Sequence, residues 1–133
     1  MYAPHRTHAS VYSRVHVETG VAEADPHRLI EMLYDGVVDS IAQARGAMHA
    51  GDVAAKGRAI SRAARIVDEG LSAALDLKAG GKLAHDLRDL YDYMVRRLTY
   101  ANMKNDEAAL QECAALVQPL REAWKQIRPG SAR

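Results

Sequence analysis

The chain is predicted to be all-α, an antiparallel up-and-down helical bundle of four main helices with an N-terminal arm. Three observations lead there. From residue 26 onward, apolar residues recur at spacings of three and four in four segments, each about 20 residues long. Short breaks rich in Gly, Asn and Asp separate these segments, and short connections make successive helices antiparallel. The apolar residues are mostly Ala, Leu and Val, with no Phe, which favours helix over sheet. On this reading residues 1–25 form a partly ordered arm, 26–128 the bundle domain and 129–133 a tail.

Composition limits what such a bundle does. At 133 residues, 48% apolar and 26% charged, the chain suits one soluble domain with a proper core. A formal net charge of +1 supplies no bulk attraction to nucleic acid or to an anionic membrane. No apolar run approaches the ~20 residues that span a bilayer, and the N-terminus lacks the apolar core of a signal peptide. The single cysteine, Cys113, allows no internal disulfide, which fits a reducing cytoplasm.

In the arm, isolated apolar residues (Tyr2, Val11, Tyr12, Val15, Val17, Val21) show no sustained period. They suit either a frayed terminus or a segment that docks its few anchors on the domain. Asp25-Pro26 then opens the first helix, with an N-cap followed by Pro at the first helical position. Leu29, Leu33, Val37 and Ala44 run along the middle of its apolar arc. Met32 widens one edge, and Ile30, Tyr34, Val38 and Ile41 widen the other, to roughly 240°. Gly36 costs ~1 kcal/mol relative to Ala inside a helix, so a close crossing is expected there.

Asp52 caps the second helix, whose narrow seam is Val53, Ile60, Ala64, Val67, Leu71 and Leu75. Arg58, Arg62 and Arg65 stand on its far side, as a solvated face or a grip for an acidic partner. Gly80-Gly81 breaks the chain. The third helix follows with Leu83, Leu87, Leu90, Met94, Leu98 and Ala101 on its seam. Tyr91 and Val95 flank that seam on one side, Tyr93 and Tyr100 on the other. The arc reaches roughly 200°, against the ~100° that packing on one core requires. Asn105 or Asp106 caps the fourth helix, seamed by Leu110, Cys113, Val117, Leu120, Trp124 and Ile127, with a kink or restart expected at Pro119. The second and fourth helices look satisfied by one core. The first and third carry surplus apolar surface, the mark of a partner surface.

Chemistry is sparse by comparison. No paired Glu-x-x-His motif supports a metal centre, and the six histidines read as surface residues. Asp86, Asp89 and Asp92 read as a solvated face paired with nearby cations, and Cys113 as a buried thiol. No phosphate-cradling loop, hydrolase elbow or helix-turn-helix signal is present, so no enzymatic activity, cofactor or nucleic-acid partner is expected. Arg97 falls between the leucine seam and the Tyr93/Tyr100 flank. It either lies over a tyrosine ring or holds carbonyls or a carboxylate, from this domain or from a bound segment.

Three blocks carry a family resemblance: Asp25-Pro-His-Arg-Leu-Ile-Glu-Met-Leu-Tyr-Asp-Gly36; Leu90-Tyr-Asp-Tyr-Met-Val-Arg-Arg-Leu98 with Ala101-Asn-Met-Lys-Asn-Asp106; and Leu120-Arg-Glu-Ala-Trp124. The chain closely resembles the flagellin-specific export chaperones of bacterial flagellar secretion, over about residues 12–127. Tyr12-Ser-Arg-Val-His-Val-Glu-Thr-Gly20 is similar to that family's N-terminal arm. Asp25 stands where Ser is common, and either caps a helix; Tyr34 stands where Phe occurs.

The resemblance implies a cytoplasmic, non-enzymatic helical bundle. Such a protein binds the disordered C-terminal region of flagellin, prevents premature polymerisation and delivers it to the export gate, without inserting in a membrane. The expected flagellin contacts are Ile30, Leu33, Tyr34, Val37, Val38, Tyr91, Val95, Arg97 and Leu98, with Tyr12, Val15 and Val17 of the arm covering the groove beforehand. Two alternatives stand beside this. One is a phosphotransfer signalling bundle with His85 as acceptor, although Arg88 and Asp89 occupy the positions where that motif usually has Lys-Gly. The other is a self-associating structural bundle, and both monomer and homodimer suit the pattern.

Overall fold

A computed structural model describes residues 25–127, and these form four helices. They are α1 (Pro26–Ala50), α2 (Val53–Arg65), α3 (Leu77–Lys104) and α4 (Glu107–Gln126), with α2 continuing into a π-helical segment, Ile66–Ser72. Every helix starts on an aspartate. Asp25 accepts from the Arg28 N–H at 2.7 Å, Asp52 from Ala55 at 3.0 Å, Asp76 from Ala79 at 2.9 Å and Asp106 from Ala108 at 2.9 Å. Each cap satisfies an otherwise orphaned donor and is worth ~1 kcal/mol. Gly51 and Asn105 close α1 and α3 in the left-handed region, at φ 73° and 55°.

α1 packs on α2 and α4, and α3 packs on the other side of the same two helices. The order around the bundle is therefore α1, α2, α3, α4, with α1 and α3 across a diagonal. This placement explains their wide apolar arcs. Each faces two neighbours, and each also sends large side chains across the centre. Leu33, Val37 and Ile41 of α1 meet Tyr91, Met94 and Leu98 of α3 in a core completed by Ile60, Val67 and Leu71, and by Leu110, Cys113 and Val117. Much of the surplus read from the sequence is spent inward.

The close crossing expected at Gly36 is present: a Cβ there would lie 3.0 Å from Ile66 Cδ1. Gly70 is tucked in the same way, with an added Cβ meeting both δ carbons of Leu33 at 3.0 and 3.1 Å. The π-helical turns around Gly70 keep Val67 and Leu71 both buried against α1 and α3.

The break expected at Gly80-Gly81 is present: Leu77–Lys104 is two helical pieces joined across Gly81 (φ 57°, ψ −139°), a conformation that L side chains rarely adopt. Three sequence expectations need correction. The buried positions of α3 are Ala84, Tyr91, Met94, Leu98 and Ala101, so Tyr91 belongs to the seam while Leu83 is 68% exposed. α4 runs through Pro119 without a restart. Proline removes one donor to the Ala115 carbonyl, and since both residues are exposed, water can take that carbonyl. Val53, expected on the α2 seam, is 73% exposed at the helix's first position.

Candidate partner-binding surface

Of the nine expected contact residues, Leu33, Tyr34, Val37, Tyr91 and Leu98 lie inside the bundle. Tyr34 and Tyr91 share a hydrogen bond of 2.7 Å between their hydroxyls, across the α1/α3 diagonal. Burial raises both phenol pKa values, the bond from Tyr91 partly offsetting the rise at Tyr34, so the pair stays neutral. Each hydroxyl is the other's partner in the buried core. Ile30, Val38 and Val95 are half-buried at the core's margin. Tyr12, Val15 and Val17 lie outside the described residues.

Arg97 resolves into a cluster between α3 and α4. Its Nε donates to Glu112 Oε1 at 2.7 Å, its guanidinium carbon sits 4.9 Å from the Tyr100 ring centroid, and Tyr93 donates its hydroxyl to Glu112 Oε2. The ring and the carboxylate readings therefore both hold, within this domain. The bond from Tyr93, then that from Arg97, keeps the Glu112 carboxyl below the usual carboxylate range. At the α1–α2 end, Glu107 is lowered by His49 first and also by Arg45. Because the folded values are depressed, these groups stabilise the fold fully above the unfolded value of ~4.3, and lose that contribution as pH falls through the folded values. Thermal melts between pH 7 and 3 should accordingly show a drop confined to the acid side, and Glu112→Gln should flatten part of it. Melting that is equally acid-sensitive in that variant would remove Glu112 from the account.

The contacts between α3 and α4 also fix their register. Cys113 Sγ lies 3.8 Å from the Met94 carbonyl oxygen, beside the Arg97–Glu112 pair. Counting back along α3 and forward along α4 from that anchor puts Leu90 level with Leu116 and Val117, and Leu87 level with Leu120. Leu87, Leu90, Leu116 and Leu120 are only half-buried, and Leu83 continues the row into solvent. The result is an apolar strip along the seam of α3 and α4. Leu83, Leu87 and Leu90 are all expected on the core seam; Leu87 and Leu90 do pack against the core from its margin, and Leu83 alone of the three stands in solvent. The signal for Leu83 is its place directly after a Gly-Gly break, at the start of the helical run. Cys113 itself is inert, with burial pushing its thiol pKa up to about 11.

Two further contacts, neither of them predicted from the sequence, hold the ends of the bundle. Trp124 stacks on His27 with centroids 4.6 Å apart and planes 9° apart. The Trp124 indole N–H donates to the His27 carbonyl at 2.9 Å, and His27 Nε2 donates to the Trp124 carbonyl at 2.8 Å. This clasp ties the start of α1, where the arm leaves, to the end of α4. Lys56 is 7% exposed and places its ammonium 3.0 Å from the Asn102 carbonyl and 3.1 Å from Asn105 Oδ1, on the negative end of the α3 dipole. His85 stands exposed on α3, its Nδ1 donating to the Gly81 carbonyl at 2.8 Å. Among the described residues no helix is long and apolar enough to cross a membrane, and no His, Cys, Asp or Glu group is arranged to hold a metal.

Comparison with known proteins places this architecture. The profile of the flagellar protein FliS family matches residues 8–131. The chain is 50% identical to the flagellar secretion chaperone FliS of Salmonella typhimurium, over 89% of this chain and 87% of that one. It is 43% identical to flagellar secretion chaperone FliSB of Pseudomonas aeruginosa, over 87% of this chain and 91% of the relative, and 38% identical to FliS of Escherichia coli K12, over 95% and 91%. A four-helix bundle whose capping aspartates, Tyr91 seam and Trp124 clasp fall within a match running nearly end to end belongs to the FliS family of flagellar proteins.

Proposed function

We propose that this protein is a flagellar secretion chaperone that binds the disordered C-terminal region of flagellin in the cytoplasm, prevents its premature polymerisation and delivers it to the export gate. It acts by binding, not by catalysis. The observation that carries the reading is the apolar strip of Leu83, Leu87 and Leu90 on α3 beside Leu116 and Leu120 on α4, in a chain whose relatives are named flagellar secretion chaperones. An extended or helical segment laid along two helices buries alternate apolar side chains in such a strip. Burial of each leucine contributes ~1.5–3 kcal/mol, and ordering a floppy ligand offsets much of it.

Ile30, Val38 and Val95 are half-buried apolar edges of α1 and α3 outside this strip, open to a segment that wraps further round the bundle, and Arg97 supplies a polar contact from its place over Tyr100. Leu33, Tyr34, Val37, Tyr91 and Leu98 then act from beneath, holding α1 and α3 at the spacing the surface needs. The arm, through Tyr12, Val15 and Val17, covers this surface until flagellin arrives. Titration of the full chain with a flagellin C-terminal peptide in a calorimeter should give one-to-one binding with a negative heat-capacity change, the marker of apolar burial. No heat at any temperature tested would refute the reading.

A further inference from the structure

The outward face of α2 carries a second feature that the flagellin reading does not use. Arg58, Arg62 and Arg65 stand at i, i+4 and i+7, all exposed. Most other arginines of the bundle are tied to carboxylates: Arg28 to Glu31, Arg45 to Glu107, Arg88 to Asp89, Arg97 to Glu112 and Arg121 to Asp35. Arg58, Arg62 and Arg65 have none within ion-pairing distance among the described residues. Arg62 alone has a polar anchor, donating to Ser40 Oγ on α1 at 3.2 Å. Cations four apart on a helix repel, and no carboxylate of the described bundle forms an ion pair with them.

The surroundings of the row are small. Ala54 and Ser61 lie exposed beside it, and a Cβ on Gly57 would meet nothing within 4 Å. A second backbone can thus approach closely. From the row's geometry and charge we propose that the Arg58/Arg62/Arg65 face docks an acidic α-helix of a partner protein, whose carboxylates at i, i+3 or i+4, and i+7 meet the three guanidiniums. The row spans about 10.5 Å at 1.5 Å per residue, the pitch at which a helix presents such a set. Guanidinium forks favour carboxylate partners.

Three other occupants fit worse. Asp68 and Glu69 follow the row directly along the chain, so a long polyanion such as nucleic acid, or an anionic membrane plane, meets repulsion at that end. A two-fold pairing of two copies sets the row against itself or near Arg96, which lies at the same height given that Lys56 meets Asn102. The flagellin strip lies between α3 and α4, and so on a different side from this face.

The test uses the full chain and an Ala-based helical peptide bearing Glu at i, i+4 and i+7, with its Gln counterpart as control, read by fluorescence anisotropy. The Glu peptide should bind about tenfold tighter than the Gln peptide, and the preference should vanish in R58Q/R62Q/R65Q. Helical content and flagellin-peptide binding should be unchanged in that variant, which separates this face from the proposed function. The single change Arg58→Gln, at an exposed position, should already weaken the preference if the triple variant folds poorly. Equal binding of the two peptides, a preference that survives in the variants, or tighter binding of single-stranded DNA or phosphatidylglycerol vesicles than of the Glu peptide would overturn the proposal.

Discussion

The double variant Leu83→Glu/Leu87→Gln should bind a flagellin C-terminal peptide at least about 100-fold more weakly than the unaltered chain, which corresponds to ~2.7 kcal/mol. The size follows from two effects acting together. Two leucines that a bound segment would cover are removed, at ~1.5–3 kcal/mol each when fully buried. A carboxylate is also placed where the segment must exclude water, and an unpaired charge there is costly. Folding should survive, because Leu83 is 68% exposed and Leu87 sits at the core's margin. Leu83→Glu alone, which disturbs no packing, should lose about tenfold. Calorimetry on variants whose circular dichroism and melting match the parent decides it. Undiminished affinity in the folded double variant would move the binding surface away from the α3/α4 seam. Val95→Glu then becomes the informative change, since Val95 lies on the other side of α3.

The second large effect concerns stability. Tyr91→Ala should cost ~3–5 kcal/mol, because a large side chain is deleted from the centre of a close-packed core. For a bundle of about this size each kcal/mol lowers the melting temperature by roughly 4–8 °C. Tyr91→Phe separates the ring from the hydroxyl. It leaves the Tyr34 hydroxyl buried without a partner and should cost ~1–3 kcal/mol. Adding Tyr34→Phe should recover most of that loss, since an apolar pair of the same shape leaves nothing unsatisfied. Equal and additive losses in the two single variants and the double would mean that water or another group already serves these hydroxyls. In the folded variants flagellin affinity should stay within about threefold, as expected for residues that support the surface from beneath.

These two predictions draw on parts of the chain that were unequally legible beforehand. Three of the four capping aspartates, the helix count and the close crossing at Gly36 could be read directly, because each is a local requirement. A cap needs an oxygen acceptor next to an apolar period, and a helix interior tolerates glycine poorly unless a neighbour demands the space. Arg97 was legible as a problem but not as a solution. Its position on the helix said that its donors must be met, while Glu112 on the next helix, which meets them, is 15 residues away. Trp124 read as one more seam residue. Its stacking on His27 joins positions 97 residues apart, which no periodicity encodes.

The apolar arcs show the division most clearly. Local spacing determined by itself that the first and third helices carry more apolar circumference than a single neighbour can cover, because side-chain direction follows from 100° per residue alone. Where that circumference goes was decided only when four helices closed into a ring. With α1 and α3 on a diagonal, Tyr34 and Tyr91 turn inward and find each other, and the break at Gly81 leaves Leu83 outside. A helix's pattern states how much must be covered. Only its neighbours, set by packing between segments distant in the chain, determine what does the covering and what is left for a partner.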